Sequence, residues 1–274
     1  IADMRMPVTM GVCCVPPGST DMQLAISYAI QASDLLRNSY GNEIRIYDEN
    51  LRVQLKEYHD KEKLLESVDI QKDFVAYYQP KVDIRSEQIV GAEALVRFKD
   101  PTDNGAIKAP GYFVPYYEQT GRITEIDFFI MECACKLLRR RMDAGRRVVP
   151  ISCNFSRIHF IKDNFPEQFE AVMDKYRIPK EYIEVEITET LVMEELQQHK
   201  VKQTVETLRQ KGIRLSIDDF GSGYSSLGVF EQIPASVIKL DRSFLLNNEN
   251  RVRQVKIMKN IVNLAQDLDA QVVC

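Results

Sequence analysis

Two adjacent acids, Asp218 and Asp219, close an apolar run within RLSIDDFGSGYSSL at 214–227. Neighbouring residues on a strand point to opposite faces. Both carboxylates therefore become useful together only where a strand ends and the backbone turns, and Gly221 and Gly223 follow at once. Paired carboxylates in such a place suit hard cations, which take oxygen ligands; the plainer alternative is a turn whose aspartates cap the next helix. A polar residue also ends the apolar runs at Glu93, Asn154, Glu186 and Lys239. Asn154 to Glu186 spans 32 positions, Glu186 to Asp218 another 32, and Asp218 to Lys239 spans 21. These intervals suit successive β-α units of about 30 residues or fewer. Each residue has its own plain reading. Glu93 could be a strand-edge acid, Asn154 a turn former, Glu189 a first-turn helix acid with Thr188 or Thr190 capping, and Lys239 a snorkelling side chain. Five such residues at the same strand end are hard to obtain from separate causes.

Electrostatics then selects the chemistry. Glu93, Glu186, Asp218 and Asp219 gathered in one mouth cannot all stay ionised without compensation. Divalent cations would neutralise them, with Asn154 as a neutral oxygen ligand. No histidine or thiolate joins the set, which favours Mg²⁺ or Mn²⁺ over zinc. Two such ions can activate a water and clamp a phosphodiester for in-line attack. Lys239 could orient that water or stabilise developing charge. Arg97, four residues beyond Glu93, offers a fork that matches phosphate oxygens.

The elements that must position these residues are short apolar strands alternating with amphipathic helices. Strands are expected at 74–80, 89–98, 148–156, 182–190, 214–221, 236–244 and 270–274, and helices at 126–144, 167–176, 193–211 and 251–268. Strict alternation, with strands apolar on both faces, predicts a parallel sheet covered by helices. The link between the first two strands is too short for a crossover, so that pair is expected to be antiparallel. In a (β/α)₈ barrel the C-terminal mouth holds the active site. Ahead of this region, a strand at 7–15, a helix at 21–38 and a strand at 43–48 form a β-α-β remnant too small to stand alone. The charged stretch 49–72 reads as a helical connector.

At 274 residues the chain can bury a sizeable core. Its net charge of -4 argues against a polyanion surface, so polymeric nucleic acid is not an expected partner. No apolar run approaches the ~18 residues of a membrane span, so no membrane contact is expected of this stretch. The chain starts at Ile1 without a signal peptide, and an upstream segment, which could carry an anchor, is expected. Six cysteines, Cys13, Cys14, Cys133, Cys135, Cys153 and Cys274, form no metal-like spacing with His59, His159 or His199. A reduced, cytoplasmic protein is expected.

With those residues in place, 74–274 resembles the EAL-domain phosphodiesterases of bacterial cyclic-di-GMP signalling. The resemblance is carried by YYQP (77–80), EALVRF (93–98), NFS (154–156), EITET (186–190), DDFGSGYSSL (218–227) and IKLDRSF (238–244). It implies an α/β, TIM-like barrel with an antiparallel first strand over 73–274, and hydrolysis of cyclic-di-GMP to linear pGpG with Mg²⁺ or Mn²⁺, as two ions. Carried over by motif, Glu93, Asn154, Glu186, Asp218 and Asp219 would ligate metal. Lys239 would assist the attacking water with Asp241 behind it, and Gln79, Leu95 and Arg97 would contact substrate. Glu189 would steady the loop after Asp219, which in this family responds to dimerisation; a homodimer is accordingly expected. Phe98 and Phe155 stand where the family usually carries Trp and often Leu. The chain stops within the seventh strand, before the family's EGVE motif and eighth strand, so the barrel is expected to be unclosed. An EAL receptor that binds the dinucleotide without cleaving it remains the alternative. Residues 1–48 are similar to the C-terminal part of a GGDEF domain through their β-α-β order and residues such as Ala32 and Asp34.

Overall fold

The computed structural model describes residues 8–15, 18, 21–36, 42–189, 198–221, 233, 235–246 and 251–274. The chain divides into two compact units, Ile1–Val68 and Asp69–Cys274.

In the first unit, strands β1 (Thr9–Cys13) and β2 (Glu43–Tyr47) pair in parallel, from Thr9 opposite Glu43 to Cys13 opposite Tyr47. Helix α1 (Met22–Asp34) makes the crossover and is capped by the Asp21 carboxylate, which accepts from Leu24 N. Glycine is required at position 11. A Cβ there would stand 1.8 Å from the Ala29 carbonyl oxygen, so the helix could not lie on the strand. Helix α2 (Glu49–Ser67) follows, capped by Asp48 through Leu51 N at 2.7 Å. The β-α-β order read from the sequence is present, and the expected connector helix ends at Ser67, with a separate four-residue helix, α3 (Ile70–Asp73), opening the second unit.

The second unit is one sheet with helices between its strands. Strands β3 (Phe74–Val82) and β4 (Ile89–Asp100) form an antiparallel hairpin. Its turn is held by Asp83, whose carboxylate accepts from the Arg85 and Ser86 amides. A short β5 (Ala106–Lys108) adds to β4 antiparallel. The remaining strands are parallel: β6 (Ile151–Asn154), β7 (Ile183–Thr188), β8 (Arg214–Phe220), β9 (Val237–Leu240) and β10 (Gln271–Val273). The order along the sheet is β10-β9-β8-β7-β6-β4-β3, and β3 does not pair with β10. Among the described residues the helices in chain order are α4 (Val114–Gln119), α5 (Ile123–Asp143), α6 (Arg157–Ile161), α7 (Phe165–Tyr176), α8 (Gln198–Gln210), α9 (Ser243–Leu246) and α10 (Arg251–Asp267). Part of the expected helix at 193–211, residues 193–197, lies outside the described residues.

The helix-facing side of the sheet is apolar. Cys153, Val185, Ile187, Leu215, Ile217 and Ile238 are all buried. Helix α5, which packs on β3, β4 and β6, buries a stripe that includes Ile123, Ile126, Ile130, Ala134 and Leu138. Burying each large aliphatic side chain contributes roughly 1.5–3 kcal/mol. The opposite face departs from the expectation of strands apolar on both sides. Ser152, Glu184, Glu186 and Ser216 point there and are fully buried. Small side chains leave room for long ones: Glu184 is met by Lys81 at 3.2 Å and by Arg214 at 3.6 Å. The runs look apolar in sequence because only every second position carries a polar group. The expected strand at 236–244 is also shorter than read, since the chain leaves the sheet after Leu240 and Ser243 begins α9.

Candidate active site

Ladder register decides which side chains share a face. Across β6, β7 and β8, Asn154 lies beside Glu186 and Glu186 beside Ser216, while Thr188 lies beside Asp218. On β4, Glu93 is beside Ser152 of β6 and opposite Gln79 of β3. Positions two apart on one strand share a face, so the polar face carries Glu93, Asn154, Glu186, Asp218 and Lys239 towards the C-terminal ends of the parallel strands.

Lys239 organises the cluster. Its Nζ lies 2.9 Å from Glu93 Oε2 and 3.0 Å from Asp218 Oδ1, and it forms a third ion pair with Glu186. Carboxylate oxygens of Glu93, Glu186 and Asp218 all lie within 4.8 Å of one another. Asn154 Nδ2 donates to Glu93 Oε1 at 3.0 Å, which leaves its Oδ1 available as a neutral ligand. One ammonium against three carboxylates leaves the cluster net negative. Burial pushes the Glu186 carboxyl up to about 7; Lys239 pulls it down, while Glu93 raises it further. Burial alone would lower the Lys239 ammonium, but Glu186, Asp218 and Glu93 outweigh it and hold the group firmly protonated. Glu186 Oε2 is buried without a hydrogen-bond partner among the described residues. Such an orphan acceptor in an all-oxygen set, with excess negative charge, fits a hard divalent cation.

β8 does not end at the two acids as expected but continues to Phe220, with a register shift against β9 between Ile217 and Phe220. Asp219 adopts a left-handed φ of 53° and its amide donates to Asp218 Oδ1 at 2.9 Å. Its carboxyl is raised by burial and then by the nearby charges of Asp218 and Asp241. Gly221 has φ 94°, and its N–H donates to Glu189 Oε2 at 2.8 Å. Glu189 is thus clasped to the start of the segment after Asp219; residues 222–232 of that segment lie outside the described residues. Asp241 accepts from Ser243 N at 2.8 Å and forms no ion pair with Lys239 among the described residues. Its carboxyl is lowered by the Ser243 hydrogen bonds.

On β4, Leu95 and Arg97 continue the face of Glu93 towards the mouth, and Gln79 and Tyr77 flank them on β3. Arg97 spends one N–H on the Val96 carbonyl at 2.8 Å and lies over the Tyr77 ring at 5.8 Å. It has no carboxylate partner among the described residues. Two features escape sequence reasoning: the Lys81–Glu184–Arg214 group at the opposite end of the strands, and a buried pair, Asp127 and His159, 3.1 Å apart. A signal for the second exists, because Asp127 falls on the apolar stripe of α5 between Ile123 and Ile130.

Residues 61–274 match the family model for the EAL domain. The chain is 30% identical over 275 residues to MucR of Pseudomonas aeruginosa, a bifunctional diguanylate cyclase/cyclic di-GMP phosphodiesterase, covering 99% of this chain and 39% of that protein. It is 29% identical over 266 residues to the signaling protein YkoW of Bacillus subtilis, covering 97% of this chain and 33% of the relative. The solved PaMucR phosphodiesterase in complex with c-di-GMP superposes with a TM-score of 0.67 at 30% identity, over 79% of this chain and 85% of that one. The chain therefore spans 33% to 39% of the length of these curated relatives.

Proposed function

The chain belongs to the EAL-domain family, whose α/β, TIM-like barrel with an antiparallel first strand it shares, and from that premise we propose that it hydrolyses cyclic-di-GMP to linear pGpG. The observation that carries this reading is the cluster of Glu93, Glu186 and Asp218 around Lys239 at one end of the sheet. Glu93, Asn154, Glu186, Asp218 and Asp219 would hold Mg²⁺ or Mn²⁺, which supplies charge neutralisation and a more acidic water when bound.

In the hydrolysis, a water oxygen bonds to phosphorus, the bond from phosphorus to the 3′ oxygen breaks, and that oxygen leaves as a hydroxyl. Lys239 is held protonated, so it serves as a hydrogen-bond donor and not as a base. It would orient the water and stabilise negative charge as it develops. Asp219, beside Asp218 at the same strand end, would add a further carboxylate oxygen to the cation and so help to place the water. The Arg97 fork, without a carboxylate partner among the described residues, suits a phosphate oxygen, with Gln79 and Leu95 beside it to contact substrate. Glu189 acts further back, by fixing the Gly221 amide. Asp241 contributes through the Ser243 turn and its charge near Asp219. A homodimer and a preceding GGDEF-type unit belong to the same reading. The described residues contain no helix long and apolar enough to cross a membrane.

Incubation with cyclic-di-GMP and Mn²⁺, followed by chromatography of the nucleotides, tests the proposal. Appearance of pGpG supports it. Retention of bound, uncleaved cyclic-di-GMP would replace the enzyme by a receptor.

A further inference from the structure

Behind the turn that carries Asn154 sits an acid with no part in the cluster. Asp127 lies on the buried stripe of α5, is 9% exposed, and could be any aliphatic residue if packing alone mattered. Its Oδ2 instead accepts from the Ser156 amide at 2.9 Å and lies 3.1 Å from His159 Nε2. Ser156 is the cap residue of α6 yet makes no capping bond with its own side chain. The acceptor for that amide comes from another helix. His159 is 1% exposed, and its own amide returns to the Ser156 carbonyl at 3.1 Å. Between them, Phe155 N donates to the Glu186 carbonyl at 3.0 Å, and its ring packs 5.3 Å from the His159 ring and 5.1 Å from that of Phe165. The two residues immediately after Asn154 are therefore fixed from β7, from α5 and from α6. A buried carboxylate is costly unless paired and hydrogen-bonded, and here both partners belong to one short turn.

We infer that Asp127 and His159 are positioning residues: the pair locks the β6–α6 turn so that the Asn154 amide is held in the ligand cluster. Resting on the metal reading of that cluster, the inference concerns how one ligand is aimed. Asp127 touches neither the cluster nor the substrate face; it acts through Ser156.

Mn²⁺ binding to the protein without substrate, followed by electron paramagnetic resonance of free Mn²⁺, tests this apart from turnover. Asp127→Leu keeps the α5 stripe apolar and removes the acceptor; Asp127→Asn keeps an oxygen for the Ser156 amide. We expect Asp127→Leu to weaken Mn²⁺ binding roughly 10–100-fold, the range typical of residues that orient metal ligands, and Asp127→Asn to recover most of that loss. In an Asn154→Ala background, Asp127→Leu should cost nothing further, because its effect is routed through Asn154. A purely structural role would lower the melting temperature and leave Mn²⁺ affinity and this non-additivity untouched. His159→Phe, which keeps a ring in the aromatic pocket, runs the same cycle should Asp127→Leu not fold. Folded single variants with wild-type Mn²⁺ affinity, an Asn variant as weak as Leu, or additive losses each overturn the inference alone. A wild-type protein that binds no Mn²⁺ removes the metal reading and this inference together.

Discussion

Lys239 and Glu186 hold opposite charges in a place where water is scarce, and that fixes how the cluster responds to substitution and to pH. Glu93→Ala and Asp218→Asn each leave Lys239 with two carboxylate partners, so the fold should persist while hydrolysis falls. The loss should exceed the roughly 10–100-fold typical of residues behind the ligands. Activity and circular dichroism melts on the same samples check this, and inactivity explained by a collapsed melt would refute the site. The Glu186 carboxyl, pushed up to about 7, gives a signed pH dependence. In the unfolded chain it titrates near an ordinary ~4.3. The native state binds the proton more tightly, so its contribution to metal-free stability is fully present below the unfolded value and is lost as pH rises through about 7. Cation binding requires the ionised form and runs the other way, strengthening over the same window with release of a proton. Mn²⁺ titrations on either side of neutrality decide it; an affinity flat with pH would sink the assignment of Glu186 as a ligand. Much of the cluster was legible in sequence because Asn154, Glu186, Asp218 and Lys239 fall late in short apolar runs at repeating intervals, whereas Glu93 is not at a strand end but fifth of the twelve residues of β4. Lys239 was placed with the acids, but its three-way pairing depends on register, which spacing does not contain.

At the scale of elements, the weak point is the turn from β8 into the segment after Asp219. A Cβ added at Gly221 would come within 2.2 Å of the Phe244 ring, and φ 94° is a conformation side chains resist. Gly221→Ala should therefore cost about 1–3 kcal/mol, read as a fall in melting temperature of roughly 2–4 °C per kcal/mol for a unit of this size. Adding Phe244→Ala relieves the clash but not the dihedral, so it should recover only part. Full recovery would show that φ at Gly221 carries no strain. The long elements were readable for a simple reason: α5 and β4 have enough residues to show a period, as with Ile123, Ile126, Ile130 and Ala134. Short ones were not. β5 has three residues and α6 five, fewer than either period needs to repeat. The polar inner face was hidden for the converse reason. Ser152, Glu184 and Ser216 sit singly between apolar neighbours, and the cations that pair with Glu184, Lys81 and Arg214, come from other strands.

Across the whole molecule, the candidate ligands stand on β4, β6, β7 and β8, drawn from positions 93 to 219, with Lys239 on β9. These strands are consecutive in the sheet. A cation bound there would tie four strands that the chain itself connects only through long helical crossovers, and the unfolded chain offers no comparable site. Native-only binding stabilises by about 2.7 kcal/mol when the ligand is at 100 times its dissociation constant. At roughly 2–4 °C per kcal/mol this is a rise of about 5–11 °C. Saturating Mn²⁺ should therefore raise the melting temperature at mildly alkaline pH, and EDTA should reverse it. Glu186→Gln separates the cation effect from general salt stabilisation because its two consequences have opposite signs. It removes a ligand, so the Mn²⁺ increment should shrink. It also removes a buried charge that the fold disfavours, so without metal the variant should melt higher than wild type at that pH. Lys239 keeps Glu93 and Asp218 as partners in either case. A variant that retains the full Mn²⁺ increment places the cation elsewhere; one that melts lower without metal shows that the ion pair of Glu186 with Lys239 outweighs the cost of burying the carboxylate.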